Sequence, residues 1–358
     1  MKAWVLHNID DLKYEDVDNP SLQDGWSLIR VGAAGICGSD IPRIFQTGAH
    51  KHPLIPGHEF AGTVAETSDT SGRIHKNQPV GVFPLIPCGK CKPCQSKHYE
   101  MCRNYNYLGS RSDGGFAEYC LVPNWNLLPL PDGITMEQAA MLEPMSVAMH
   151  AIRQLDYGHT IPMIIEGEVQ MGEPGGPSVL IIGLGTIGLF AAMHLIALGY
   201  QNVHVIGNKD YQLQQFIQIG GKPENYHDGL HLPEVEAFDM VIECVGKPDT
   251  IRQAIRMTAP GKSIVLVGNP SENIGFPKDV YWKILRNQLR ISGTWNSSYL
   301  GGKTALDDWN LVLRLLARGQ IHPERLISQR LSLEHLMDGL CIMRDKTENY
   351  TKVMVVNN

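Results

Sequence analysis

Aromatic residues make up only 7% of this 358-residue chain, and charged residues only 19%. There is no basic excess: 31 Lys and Arg face 37 Asp and Glu, for a formal net charge of −6. That balance, with no basic stripe along the chain, argues against a nucleic-acid binder. No apolar run approaches the roughly 20 residues that a membrane helix needs. The opening MKAWVLHNID lacks the apolar stretch of a signal peptide. The expectation is therefore a cytoplasmic protein with neither nucleic acid nor membrane among its partners. Cysteine is not scarce, but it is unevenly placed. Cys88, Cys91, Cys94 and Cys102 crowd together, while Cys37, Cys120, Cys244 and Cys341 stand alone. A disulfide scaffold is short and dense in cysteine throughout, so this clustering points to a metal site in a reducing compartment.

The length suggests two domains. Up to about residue 150 the chain is rich in short β-type runs such as WSLIRVGAAG and AGTVAE, broken by Gly57, Gly62, Pro84 and Pro87. This spacing predicts an antiparallel domain, a barrel or a sandwich. From Ser178 the apolar runs VLIIGLG, NVHVIG, DMVIECVG and SIVLVGN alternate with helical stretches, the pattern of βαβ units on a parallel sheet. The rhythm ends after Ile291, and the closing TKVMVVNN has the character of the first region again. The class is α/β, with one domain from 1–151 plus 296–358 and a second, 152–295, inserted within it. His159 to Pro177 is predicted to be a long loop or hairpin ahead of the parallel sheet.

In PCGKCKPCQSKHYEMC the four clustered thiols can surround one Zn²⁺ tetrahedrally and leave no open position, which makes a structural site. An iron–sulfur cluster is the rival occupant. Upstream, GICGSD offers Cys37, Ser39 and Asp40, and PGHEF offers His58 and Glu59. One thiolate, one imidazole and a carboxylate are what a catalytic zinc uses while keeping a position open. Glu143, in the otherwise apolar LEPMSVAMHAI, is a carboxylate that needs a partner if buried, and a metal supplies one. His150 reads as a packing histidine. Asp40 suits an outer role, accepting the second N–H of a metal-bound imidazole.

GLGTIG, residues 183 to 188, follows the apolar SVLII and precedes the helical LFAAMHLIAL. Strand, glycine loop and helix together predict a dinucleotide site. Gly183 makes the turn, Gly185 admits the pyrophosphate, and Gly188 lets helix and strand pack. Thr186 and Ile187 begin the helix whose free N–H groups face the phosphates. The next strand ends in Gly207, Asn208 and Lys209, with no acid until Asp210. A missing acid removes repulsion against a 2′-phosphate and Lys209 can pair with one, so the cofactor is NAD(P) with a lean to NADP.

In this order, GICGSD, GHE, the four-cysteine loop, the Glu-Pro helix start and GLGTIG resemble the zinc-dependent medium-chain alcohol and polyol dehydrogenases over nearly the whole chain. The resemblance implies a GroES-like β-rich catalytic domain beside a Rossmann doubly wound domain, and a homodimer or homotetramer. It places one catalytic zinc on Cys37, His58 and Glu143, with Glu59 as an alternating ligand, and one structural zinc on Cys88, Cys91, Cys94 and Cys102. Ser39 would begin a proton relay. The stretches GICGSDIPRIFQTGAHKHP, YLGSRSDGGFAEY and SGTWNSSY look like the branch that oxidises a hexitol phosphate. Such a substrate needs cations, for which Arg43, Lys51 and Arg111 are the candidates. An unphosphorylated polyol, threonine or butanediol is the alternative substrate within the family. A non-catalytic zinc- and nucleotide-binding protein is the alternative outside it.

Overall fold

The computed structural model describes residues 1–155, 176–229, 236–270, 272–302 and 306–357. Most of the segment expected as a hairpin, residues 159–175, lies outside them. The chain forms two units. One comprises Met1–Glu143, Ser298–Leu313 and Leu326–Asn358, and the other Pro144–Ser297 and Arg314–Arg325. Residues 144–151, 296–297 and 314–325, which the sequence placed with the first domain, thus belong to the second unit.

The first unit is built on the long strand Trp26–Ile36, which is buried along nearly its whole length, with Arg30 its only exposed residue. It pairs antiparallel with Glu59–Thr67, with Tyr119–Pro123 and with the C-terminal strand Lys352–Val356. The sheet continues to Pro79–Val82 and Leu127–Pro129 on one side and to Ile327–Leu331 on the other. Only the last pairing, Ile327–Leu331 on Lys352–Val356, is parallel. Inward residues from these strands, among them Ile29, Val31, Phe60, Val64, Val80, Val122, Val353 and Val355, form one buried cluster. Each such side chain contributes roughly 1.5–3 kcal/mol when fully buried. The tail therefore returns to the first unit because its alternate valines complete that core.

The second unit holds a parallel sheet of six strands. Their order is Tyr226–His227, Val203–Ile206, Val179–Ile182, Phe238–Glu243, Thr258–Leu266 and Arg290–Gly293. Counted along the chain this is 3-2-1-4-5-6, the doubly wound arrangement of a Rossmann fold. The order reverses between Val179–Ile182 and Phe238–Glu243, and the glycine loop leaves the first of these strands. The runs NVHVIG, DMVIECVG and SIVLVGN become strands as expected. The short Tyr226–His227 and the edge strand Arg290–Gly293 carry too few apolar residues to announce themselves. Among the described residues no helix is long and apolar enough to cross a membrane.

Candidate active site and thiol loop

All eight cysteines are free thiols. A short helix, Lys92–Gln95, and a 3₁₀ turn, Tyr99–Met101, fold the loop so that four of them converge. The sulfurs of Cys91 and Cys94 are 3.4 Å apart, those of Cys91 and Cys102 3.8 Å, and those of Cys88 and Cys94 4.0 Å. Bonds of about 2.3 Å to a tetrahedral zinc would separate the sulfurs by about 3.8 Å, so the cage has the right size. Backbone N–H groups of Arg103 and Cys94 pull the Cys91 thiol down to about 6. Burial and the neighbouring thiols push Cys94 up to about 12. Without a cation, the four cannot all be thiolates.

The second cluster is assembled from separate strands. Cys37 follows directly on Trp26–Ile36, and His58 directly precedes Glu59–Thr67; the register pairs Gly35 with Glu59. Gly57 is what brings the imidazole in. Its φ is +93°, and a Cβ there would lie 2.6 Å from the Phe116 ring, so only glycine fits. Atoms of Cys37, His58 and Glu59 that could ligate a metal all lie within 4.8 Å of one another.

Asp40 is fully buried beneath them and makes three contacts. Its Oδ2 accepts the Cys37 N–H at 3.0 Å, its Oδ1 accepts Arg43 Nη1 at 2.5 Å, and the same oxygen lies 3.5 Å from His58 Nδ1. The last is an ion-pair separation, and Nδ1 has no well-formed hydrogen bond. Burial opposes charge on Asp40, yet His58 and Arg43 hold its carboxyl below the usual value. Burial likewise opposes charge on His58, but Asp40 and Cys37 raise it well above an ordinary histidine. The Ser39 hydroxyl donates to Cys37 Sγ at 3.3 Å.

Two carboxylates flank this cluster, and each has a partner that sequence reasoning missed. Glu59 pairs with Lys352, both 2% exposed, and the Lys352 ammonium also donates to the Ile36 carbonyl at 3.0 Å. Glu143 is 8% exposed and stands outside the compact ligand group; its Oε1 accepts the Tyr107 hydroxyl at 3.2 Å. Burial, with repulsion from Glu59, pushes the Glu143 carboxyl up to about 7. Burial and then Glu143 raise Tyr107 well above an ordinary phenol, so it remains a donor. Lys352 had little signal, since on a strand it falls on the face opposite the inward Val353 and Val355. Tyr107 had none. His150 is buried in the helix Leu142–Leu155 with its ring 3.4 Å from Gln154, and it joins neither cluster.

The three candidate cations differ. Arg43 is 18% exposed and bonded to Asp40. The Lys51 ammonium is half exposed, 3.9 Å from Asp113. The Arg111 guanidinium lies 4.7 Å over the Tyr105 ring, and its buried Nε has no partner.

In the second unit, Gly183 has φ +96°, and a Cβ at Gly188 would lie 2.0 Å from the Gly183 carbonyl oxygen. At Gly185 a Cβ would meet nothing within 4 Å, so the loop's outer side is open. The helix Thr186–Ala197 starts at once. A Cβ at Gly207 would lie 2.6 Å from the Tyr226 hydroxyl and 2.8 Å from Gln212 Oε1. Those two side chains occupy the space an acid would need. Gln212 also accepts the Asn208 N–H at 2.9 Å and donates to the Leu184 carbonyl at 3.0 Å, tying the two loops together.

Comparison with known proteins agrees with this architecture. Residues 23–132 match the alcohol dehydrogenase GroES-like domain, and residues 136–341 match the glucose dehydrogenase C-terminus. Galactitol 1-phosphate 5-dehydrogenase of Escherichia coli (strain K12) is 31% identical over 86% of this chain and 85% of its own length. Sorbitol dehydrogenase of Bacillus subtilis (strain 168) is 28% identical over 100% of this chain and 98% of its own. The crystal structure of galactitol-1-phosphate dehydrogenase from Escherichia coli superposes with a TM-score of 0.86 at 28% identity, covering 99% of this chain and 100% of that one. With its GroES-like domain, its Rossmann domain and two clusters of metal-ligand type, the chain belongs to the zinc-dependent medium-chain alcohol and polyol dehydrogenases and is an oxidoreductase of that family.

Proposed function

We propose that the chain oxidises a hexitol phosphate, such as galactitol 1-phosphate, to the keto sugar phosphate, with hydride passing to NADP. The observation that carries this reading is the convergence of Cys37, His58 and Glu59 over a buried Asp40, in a chain that also holds the Gly183 to Gly188 loop. Cys37, His58 and Glu59 would hold the catalytic zinc, and the four-thiol loop a structural one. When bound, zinc is a Lewis acid that brings a substrate hydroxyl's pKa toward neutrality. Asp40 holds the Cys37 backbone by a hydrogen bond and faces the His58 ring at ion-pair distance, which favours the orientation the donor set needs. Ser39, beside Cys37 Sγ, takes the hydroxyl proton and passes it toward solvent. Gly183, Gly185 and Gly188, with the first turn at Thr186 and Ile187, cradle the pyrophosphate.

The lean to NADP rests on Gly207. Tyr226 and Gln212 fill the place of a ribose-binding acid, leaving Asn208 and Lys209 to meet a 2′-phosphate. Of the cations, Arg111 with its free Nε and Lys51 are the ones to meet a substrate phosphate, whereas Arg43 positions Asp40. The exposed Tyr281, Trp282 and Leu285 on the helix Lys278–Arg286, beside the edge strand Arg290–Gly293, support a homodimer or homotetramer. The free thiols suit the cytoplasm.

The test is zinc content per chain together with initial rates on galactitol 1-phosphate, sorbitol, threonine and 2,3-butanediol, using NAD⁺ and NADP⁺ separately. Two zincs and a preference for the phosphate ester with NADP⁺ are expected. Equal efficiency on galactitol 1-phosphate and sorbitol would defeat the phosphate site.

A further inference from the structure

The turn that follows the strand Val203–Ile206 is pinned residue by residue from its neighbours. The Gly207 N–H donates to the His227 carbonyl at 3.0 Å. The Asn208 N–H donates to Gln212 Oε1 at 2.9 Å. The Lys209 carbonyl accepts the Gln212 N–H at 3.0 Å and the Tyr226 hydroxyl at 3.1 Å. Gln212 is itself buried in the helix Asp210–Gln218 and reaches on to the Leu184 carbonyl in the glycine loop. All of these bonds engage the backbone of the turn, while the side chains of Asn208 and Lys209 stay exposed. The Lys209 ammonium stands 5.6 Å from the centre of the Tyr211 ring. A turn held in this way presents its two polar side chains from fixed points.

Resting on the reading of NADP as the cofactor, we propose that Tyr226 determines the choice between NADP and NAD, as a positioning residue that acts through the backbone of Lys209. Absence of an acid at 207 would by itself leave the ribose end open to either cofactor. Tyr226 adds selectivity in two ways. Its hydroxyl fixes the Lys209 carbonyl, so the lysine side chain leaves the turn from a set point and loses less freedom when it pairs with a 2′-phosphate. Its ring also stands where an acid would enter, since a Cβ at 207 would lie 2.6 Å from the hydroxyl oxygen and 2.8 Å from Cε2. A carboxylate there would further meet Gln212 Oε1, an acceptor already engaged by the Asn208 N–H, which repels it. The acid that serves NAD belongs to the end of the second strand. Here the third strand, Tyr226–His227, supplies the determinant instead.

The test is the binding of NADPH and of NADH to the full chain, followed by the fluorescence of the bound nucleotide, a readout that needs no substrate and no turnover. Wild-type protein is expected to bind NADPH more tightly, by about tenfold or more, as a charge-assisted phosphate contact allows. Tyr226→Phe keeps the ring and removes only the hydroxyl. In that variant NADPH affinity should fall about fivefold while NADH affinity stays close to wild type, so the ratio narrows. A merely structural role for the hydroxyl would weaken both nucleotides alike and leave the ratio where it was. Gly207→Asp should weaken NADPH by roughly 30-fold or more through like-charge repulsion, without tightening NADH, because Tyr226 and Gln212 keep the carboxylate from the ribose. An unchanged ratio of the two affinities in Tyr226→Phe would overturn the inference, as would a Gly207→Asp variant that binds NADH more tightly with Tyr226 in place. Wild-type protein that binds NADH as tightly as NADPH would instead overturn the NADP reading on which the inference rests.

Discussion

The thiol loop and the open cluster lie in the same unit and both gather side chains of metal-ligand type, yet they are built in opposite ways. Four thiols within one short loop close on themselves through local turns, and every sulfur has other sulfurs as neighbours. The open cluster draws Cys37, His58, Glu59, Tyr107, Glu143 and Lys352 from distant parts of the chain, and each reactive atom has a different partner. A local cage can be complete and rigid, which suits a structural ion. A site assembled across strands can leave one position vacant, and it can hold carboxylates at graded distances.

The largest difference should appear in Cys37→Ser. Turnover should be abolished and one zinc per chain lost, while the melting temperature stays close to wild type. Retained turnover would remove Cys37 from the site. Next is Lys352→Met, which strands the Glu59 carboxylate in the core. Breaking a buried pair by removing one partner costs about 3–5 kcal/mol. Denaturant unfolding of metal-free protein should show that loss, and zinc should recover part of it by neutralising Glu59. Equal losses with and without zinc would place Glu59 outside the metal set.

Cys94→Ser should do the reverse of Cys37→Ser. The thiol-loop zinc is lost and the catalytic zinc kept, and a loss of about 3 kcal/mol lowers the melting temperature by roughly 6–12 °C. A Cys94 variant with full stability would contradict a structural role for the loop.

The smallest effect is one of pH, and it sets the conditions for comparing the two sites by acid extraction. His194 in the second unit is fully buried, neither ring nitrogen has a partner, and burial lowers its pKa to about 3. A folded pKa below the unfolded 6.5 means that the unfolded chain takes up the proton first. Stability is then full above about pH 6.5 and declines as the pH falls toward 3, by about 2 kcal/mol at pH 5. Unfolding free energies measured from pH 7 to pH 5 should carry that slope, and His194→Leu should remove it.

Legibility followed distance along the chain. The cysteine spacing announced its loop, and GLGTIG between an apolar strand and a helix announced the parallel sheet. Both depend on turns formed within a few residues. Gln212 and Tyr226 were not legible, because they matter only through the space above Gly207 that two strand ends and a helix enclose. Tyr107 was silent for the same reason, since a tyrosine after the thiol loop acquires meaning only once His58 and Glu143 are beside it.

By itself, the sequence determined the donor types, the two-unit plan and the return of the tail, since a motif or an alternation of valines carries these locally. Which carboxylate stands among Cys37 and His58 was decided by tertiary structure alone. The antiparallel register that sets Glu59 opposite Gly35 and Val353 opposite Ile36 brings Lys352 onto Glu59, while Glu143 is left to Tyr107. A shift of one residue in either pairing would turn those side chains to the other face of the sheet.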